Sequence, residues 1–253
     1  MKTISKKVKL LTGAVLVLLG TGAFAERSPQ YISPNNDGRQ DRLEVPLKIR
    51  DKRYISAWSF VIRDANGNIV RTIGNKVQNE GRMTFTGFFK KLVSPKQSVE
   101  IPEKIIWNGF CDDGSLAKDG TYKYKFYASD DSGNQGESDE YVVIVDNTPP
   151  VINLAQLSSD EKNFGEGAKA ILRIKQSGSL EELWTAKVTD AAGKTIRSYK
   201  WEKAEPVSVE WNGMNDDNSI VADGIYNYEI TSTDLAGNVS EKAVITNILF
   251  RSE

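Results

Sequence analysis

The chain has 253 residues, with 33 basic and 34 acidic groups, one cysteine and no histidine. Without histidine, Ser-His-Asp and Cys-His catalysis and every histidine-containing zinc site are excluded, and a lone cysteine excludes an intramolecular disulfide. The near-neutral balance, with no long block of one sign, argues against nucleic acid as a partner, and no P-loop or dinucleotide glycine motif is present.

Residues 1–25 have the three parts of a secretory signal. Lys2, Lys6, Lys7 and Lys9 form the charged region, Leu10–Leu19 the apolar region, and Ala23-Phe24-Ala25 the small–x–small pattern that signal peptidase reads. The apolar run is shorter than the about 20 residues of a membrane span. Cleavage after Ala25 is expected, leaving no transmembrane span and an exported protein, periplasmic or at the cell surface. No cysteine follows the apolar region to carry a lipoprotein anchor. The cleaved chain would keep 29 basic and 34 acidic groups, because the leader takes four lysines and no acids with it.

The next segment, Ser33-Pro34-Asn35-Asn36-Asp37-Gly38-Arg39-Gln40-Asp41, is rich in turn formers. Asn35, Asp37 and Asp41 stand at the spacing of positions 3, 5 and 9 of a calcium loop, with Gly38 at position 6 and Ser33 at position 1. The set is incomplete, so an Asx-rich turn leading into a strand competes with a weak calcium site. No other cofactor is expected.

From Leu43 onward the pattern is strand-like. Leu43, Val45, Leu47 and Ile49 alternate with polar or proline positions, and Pro46 marks an edge. Trp58, Phe60 and Ile62 form the next alternation, followed by the turn Asp64-Ala65-Asn66-Gly67 and a hairpin partner over Ile69–Ile73. Residues 75–102 form an insertion that includes Phe85, Phe88, Phe89, Lys90 and Lys91. An apolar and basic patch of this kind is a candidate contact for a partner or a membrane surface, against the alternative of a structural flap. After it come Ile105–Trp107, turns at Asp112-Asp113-Gly114 and Asp119-Gly120, and a strand with Tyr122, Tyr124 and Phe126 on its core face. A turn at Asp130–Asn134 and a last strand at Tyr141–Val145 follow. Asp146-Asn147-Thr148-Pro149-Pro150 is then a joint, because two prolines stop a sheet.

Beyond the joint the sequence repeats. Residues 107–134 (WNGFCDDGSLAKDGTYKYKFYASDDSGN) match residues 211–238 (WNGMNDDNSIVADGIYNYEITSTDLAGN) without a gap at an offset of 104. Trp58–Arg71 (WSFVIRDANGNIVR) matches Trp184–Arg197 (WTAKVTDAAGKTIR) at an offset of 126, and the difference locates the insertion in the first copy. Two copies mean two similar modules, expected over 26–150 and 151–253. Cys111 aligns with Asn215, so the thiol lies outside the shared plan. The recurring Asp112-Asp113 and Asp216-Asp217 pairs suggest paired carboxylates, but neighbours in a turn rarely face each other across a substrate. Turn chemistry is the reading we take. The recurring Trp58, Trp107, Trp184 and Trp211 are expected in the core rather than stacked on sugars. Ser158–Gly167 takes the place of the SPNNDG segment in the second copy without a clear match.

The order strand–D-x-x-G–strand, W-N-G, D-G-x-Y-x-Y, D-x-x-G-N resembles the Ig-like domain of flagellar hook-capping (FlgD-type) proteins, over most of the mature chain. SPNNDGRQD is similar to the opening of C-terminal Ig-like modules in secreted, surface-attached bacterial proteins. The resemblance implies an all-β chain of two tandem immunoglobulin/fibronectin-III-like sandwiches acting in assembly, spacing or adhesion, without enzymatic activity. Envelope or flagellar proteins are then the expected partners. A carbohydrate- or peptidoglycan-binding accessory role, with glycan as partner, is the alternative. The N-terminal region of a hook cap is not recognisable here, and a signal peptide is unlike one, so the chain is not read as a hook cap.

Overall fold

Alternation in the sequence becomes strand pairing along almost the whole chain. The structure, a computed structural model, describes residues 17–19, 28–49, 55–75, 99–130, 134–165 and 167–252. The chain divides into two units, Met1–Asp146 and Asn147–Glu253.

The first unit contains β1 (Val17–Leu19), β2 (Gln30–Ile32), β3 (Leu43–Ile49), β4 (Ile55–Arg63), β5 (Ile69–Gly74), β6 (Lys104–Trp107), β7 (Gly120–Asp130), β8 (Gln135–Glu137) and β9 (Tyr141–Val145). One sheet runs β2-β9-β7-β4-β5, with β8 also on β7, and the other runs β1-β3-β6. The β2–β9 ladder is parallel, whereas β4 pairs antiparallel with β5 and β7.

The second unit contains β10 (Asn153–Leu154), β11 (Asn163–Phe164), β12 (Leu172–Ile174), β13 (Gln176–Ser177), β14 (Glu181–Asp190), β15 (Thr195–Ala204), β16 (Val209–Trp211), β17 (Gly224–Thr233) and β18 (Ala243–Phe250). Its large sheet runs β11-β18-β17-β14-β15, with β12-β16 and β10-β13 as the smaller pairs. A 3₁₀ turn, Gly167–Lys169, lies between β11 and β12. Each unit is thus an all-β sandwich of immunoglobulin/fibronectin-III type.

The registers superimpose strand by strand. Leu43 faces Trp107 and Val45 faces Ile105, just as Leu172 faces Trp211 and Ile174 faces Val209. Ser158–Gly167, which lacks a sequence match, contains β11, and β11 pairs parallel to the end of β18 as β2 pairs parallel to β9.

Each sandwich has its own core. Trp58, Phe60, Ile62, Trp107, Tyr122, Tyr124 and Phe126 are buried in the first, and Trp184, Val188, Trp211, Tyr226, Tyr228 and Ile230 in the second. All four recurring tryptophans are therefore core residues. Burying each large side chain contributes about 1.5–3 kcal/mol. Their polar atoms stay bonded: the Trp107 indole donates to Phe110 O and the Trp211 indole to Met214 O, each at 2.9 Å. The Tyr122 hydroxyl donates to Lys118 O at 2.9 Å and the Tyr226 hydroxyl to Ala222 O at 2.6 Å. This is the tyrosine corner of Greek-key sandwiches, a phenol tying a strand start to the backbone upstream.

Candidate interaction surfaces

The SPNNDG loop closes on itself. Asp41 Oδ1 accepts the Asn36 N–H at 2.7 Å and Oδ2 the Gly38 N–H at 2.8 Å. Asp37 Oδ1 accepts the Arg39 N–H at 2.8 Å, and Asn35 Oδ1 the Asp37 N–H at 3.0 Å. The three residues at calcium-loop spacing are brought together, but their oxygens hold the loop's own amides, as in an Asx turn. Glu44 is the twelfth residue counted from Ser33, a position the sequence reading missed. It lies on β3, ion-paired with Arg42 and Lys104 at 2.8 Å each. The Lys104 bond holds its carboxyl below the usual range. Among the described residues, no three His, Cys, Asp or Glu side chains converge as metal ligands do.

The W-N-G loop is clamped to the edge of the large sheet in both modules. Thr72 N–H donates to Asp112 Oδ2 at 2.9 Å, and Ser198 N–H to Asp216 Oδ1 at 3.0 Å. In return Asp112 N–H donates to Val70 O and Asp216 N–H to Ile196 O. Arg71 pairs with Asp112 at 3.3 Å, and Arg197 with Asp216 at 3.8 Å. The first aspartate of each pair therefore covers the outer amides of β5 or β15, a way of blunting an exposed sheet edge. Asp113 instead accepts the Ser115 N–H and hydroxyl, and the Asp217 N–H donates to Asn215 Oδ1. The adjacent carboxylates do different jobs and do not face each other across a cleft. Cys111 is half-buried in this loop and free.

The tip of the same loop is apolar and exposed. Phe110 bridges to Leu116, and Met214 to Ile220. All four side chains remain exposed, between 37% and 58%. Two aromatic residues of β15, Tyr199 and Trp201, pack partly buried against the core, opposite Ala186 and Trp184. The Tyr199 and Trp201 rings lie 6.2 Å apart and nearly parallel, and the Arg197 guanidinium sits 6.0 Å above the Tyr199 ring. Both aromatic side chains are half-buried. The equivalent positions on the first module are Ile73 and Asn75. Trp201 carries no counterpart in the repeat, which is why alignment of the two copies passes over it. The clamp, by contrast, was signalled by Arg71 and Arg197 closing both copies of the upstream match.

The insertion residues Phe85, Phe88, Phe89, Lys90 and Lys91 lie outside the described residues, as does the expected cleavage site at Ala25. The flanks of the insertion are described and are structural. Trp58 N–H donates to Asn75 Oδ1 at 2.8 Å, the Trp58 indole donates to Glu100 O at 3.2 Å, and Val99 and Ile101 pack on the core.

Residues 159–235 match the FlgD Ig-like domain. A 141-residue stretch, 54% of this chain, is 30% identical to the C5a peptidase of Streptococcus pyogenes, and to that of its serotype M1. The match spans 11% of the length of those relatives. Among solved structures, the fibronectin(III)-like modules of Clostridium thermocellum CbhA align over 94% of this chain and 95% of theirs, at 14% identity and a TM-score of 0.44. The FN1–FN3 domains of chicken CNTN1 align over 87% of this chain and 62% of theirs, at 11% identity and a TM-score of 0.39.

Proposed function

We propose that this chain is an exported, non-enzymatic structural or interaction component of a bacterial envelope. Its two Ig-like modules serve as a scaffold that presents loop tips and sheet edges to other proteins. The carrying observation is that the polar groups recurring in both modules are spent on the fold. Asp112 and Asp216 clamp edge strands, and Tyr122 and Tyr226 tie strand starts to the backbone. What remains on offer at the same place in both copies is an exposed apolar pair. The family that matches residues 159–235 is named for FlgD, which makes flagellar assembly one of the machines to look for. The match to C5a peptidase covers too little of that protein to supply a peptidase activity.

Crosslinking in the producing cell, with a tagged chain and mass spectrometry of what it captures, tests this reading. Recovery of envelope-assembly or flagellar proteins is expected. Removing residues 76–98, while keeping Asn75 and Val99–Ile101 for Trp58, should leave a folded protein that loses capture if Phe85, Phe88, Phe89, Lys90 and Lys91 form the contact. Unfolding of the first module would instead make the segment structural. EDTA should leave the melting temperature unchanged, since the amides of the Asn35–Asp41 loop already hold its oxygens. A fall on chelation would put calcium there.

A second reading, glycan binding, has one observation behind it, the Tyr199–Trp201 pair on an edge strand, which packs on the core but is only half-buried there. Aromatic faces of this kind suit sugar rings. Retention on peptidoglycan or soluble glycans that is lost in Trp201→Ala would move the weight to it.

A further inference from the structure

The two modules complete their smaller sheets from different sources. In the second module the outer edge of the strand equivalent to β3 is covered from within. β10 pairs with β13, setting Leu154 opposite Gln176, and Ala155 N–H donates to Lys175 O at 3.0 Å. Leu154 packs on the core. Counting from the shared Trp pairings, Leu43 corresponds to Leu172 and Leu47 to Gln176. The same edge of the first module is covered by β1, which sets Leu19 opposite Leu47 and Val17 opposite Ile49. β1 therefore fills the place of β10. But Val17–Leu19 belong to the apolar region of the expected leader.

We infer that, once the leader is removed, the outer edge of Leu47–Ile49 is an acceptor for an extended apolar segment of a partner protein, which completes the first sandwich as an added strand. The inference rests on the export reading above.

Three observations define the occupant. Leu47 N–H donates to Glu103 O on the β6 side at 2.8 Å. Backbone groups alternate sides along a strand, so Lys48 turns its N–H and C=O outward, toward β1. Pro46, also outward, has no N–H to offer, so the acceptor begins after it and is short. Residues directly opposite each other share a face, and Leu47 is buried. The position facing Leu47 thus lies on the core side and calls for an apolar side chain, as Leu154 supplies in the second module. The start of the mature chain is poorly equipped to refill the edge. The residues ahead of β2 are Glu26-Arg27-Ser28-Pro29, polar and ending in proline. A second copy pairing through this same edge about Lys48 would set Lys48 opposite Lys48, like charges that disfavour it. Main-chain bonds would then give the affinity, and alternate side chains the specificity, of strand addition.

The test uses the protein as recovered from the producing cell, with its intact mass measured first. A mass lacking residues 1–25 supports export. A retained leader overturns the export reading, and with it the open edge, before any binding is measured. The probe is a peptide of residues 14–22 with terminal lysines. It should slow hydrogen exchange at Lys48 by about tenfold or more and raise the melting temperature. The same peptide with Val17→Asp and Leu19→Asp should do neither. Lys48→Pro removes only the outward donor, so the protein should keep its tryptophan fluorescence and lose the response to the peptide. Slow exchange at Lys48 in leaderless protein without peptide, self-association through this edge, or indifference to Lys48→Pro and to the aspartate peptide would each overturn the proposal.

Discussion

The two modules share how they close and differ in what they leave at their margins. Both clamp the W-N-G loop to the edge strand through an aspartate, both tie a tyrosine to the backbone four residues back, and both bury the same tryptophans. The difference begins at the end of that edge strand. β15 runs on to Ala204 opposite Glu181, whereas β5 stops at Gly74 opposite Ser59. A Cβ at Gly74 would lie 2.5 Å from Trp58 O, so the chain leaves the sheet at a residue without one. The insertion starts there, while the extra strand length of the second module carries Trp201, which packs beside Tyr199 on the core. Shared positions thus build the sandwich, and the two modules part where β5 ends and β15 runs on.

The largest effects should be equal between modules. Trp107 and Trp211 are each 1% exposed and make the same indole bond. Trp107→Ala and Trp211→Ala should each cost about 3–5 kcal/mol, read by denaturant unfolding. A loss in one much smaller than in the other would break the equivalence. The glycine of W-N-G sharpens it. Gly109 and Gly213 have φ of +81° and +77°, and an added Cβ would meet Pro34 at 2.5 Å in one and the Phe250 ring at 2.3 Å in the other. Gly109→Ala and Gly213→Ala should each lose at least about 2 kcal/mol, from left-handed strain and overpacking together. In the first module the obstacle is Pro34, whose Cγ and Cβ would lie 2.5 and 2.6 Å from the added methyl, so Pro34→Gly should recover part of the loss there. Tyr122→Phe and Tyr226→Phe remove a single hydroxyl bond and should cost about 1 kcal/mol each. A neutral result in one module alone would mean that its corner is not needed.

The sandwich architecture was legible because its signals are periodic or tied to backbone geometry. Tyr122, Tyr124 and Phe126 alternate, and W-N-G and D-G supply the turn residues in both copies. β10 and β11 were not legible. Each is two residues long, too short to carry a period, and the parallel β11–β18 pairing needs only an extended backbone and Phe164 where the first module has Ile32. The clamp was half legible. Arg71 and Arg197 recur, but their partners lie beyond segments of different length, so spacing alone could not join them. The Asx loop could be found as a cluster. What its oxygens bind depends on φ values of +65° at Asn36 and +47° at Gln40, which composition does not encode.

The smallest expected effect separates the modules by sign of charge. Equivalent positions on β7 and β17 carry Lys125 and Glu229. Burial alone would raise the Glu229 carboxyl, but Lys187 at 2.6 Å and Lys242 at 2.5 Å outweigh it and hold it below its ordinary value of 4.5. A depressed folded value stabilises above the unfolded value and is lost as pH falls through the folded one. Burial alone would lower Lys125, but the Glu137 bond at 3.0 Å raises it above 10.5. That contribution is complete below 10.5 and is lost as pH rises through the folded value. Glu229→Gln should therefore flatten the acid limb of stability against pH, and Lys125→Met the alkaline limb, each by roughly 1 kcal/mol or less. If both substitutions moved the same limb, Lys187 and Lys242 around Glu229 and Glu137 beside Lys125 would not be what sets these groups apart.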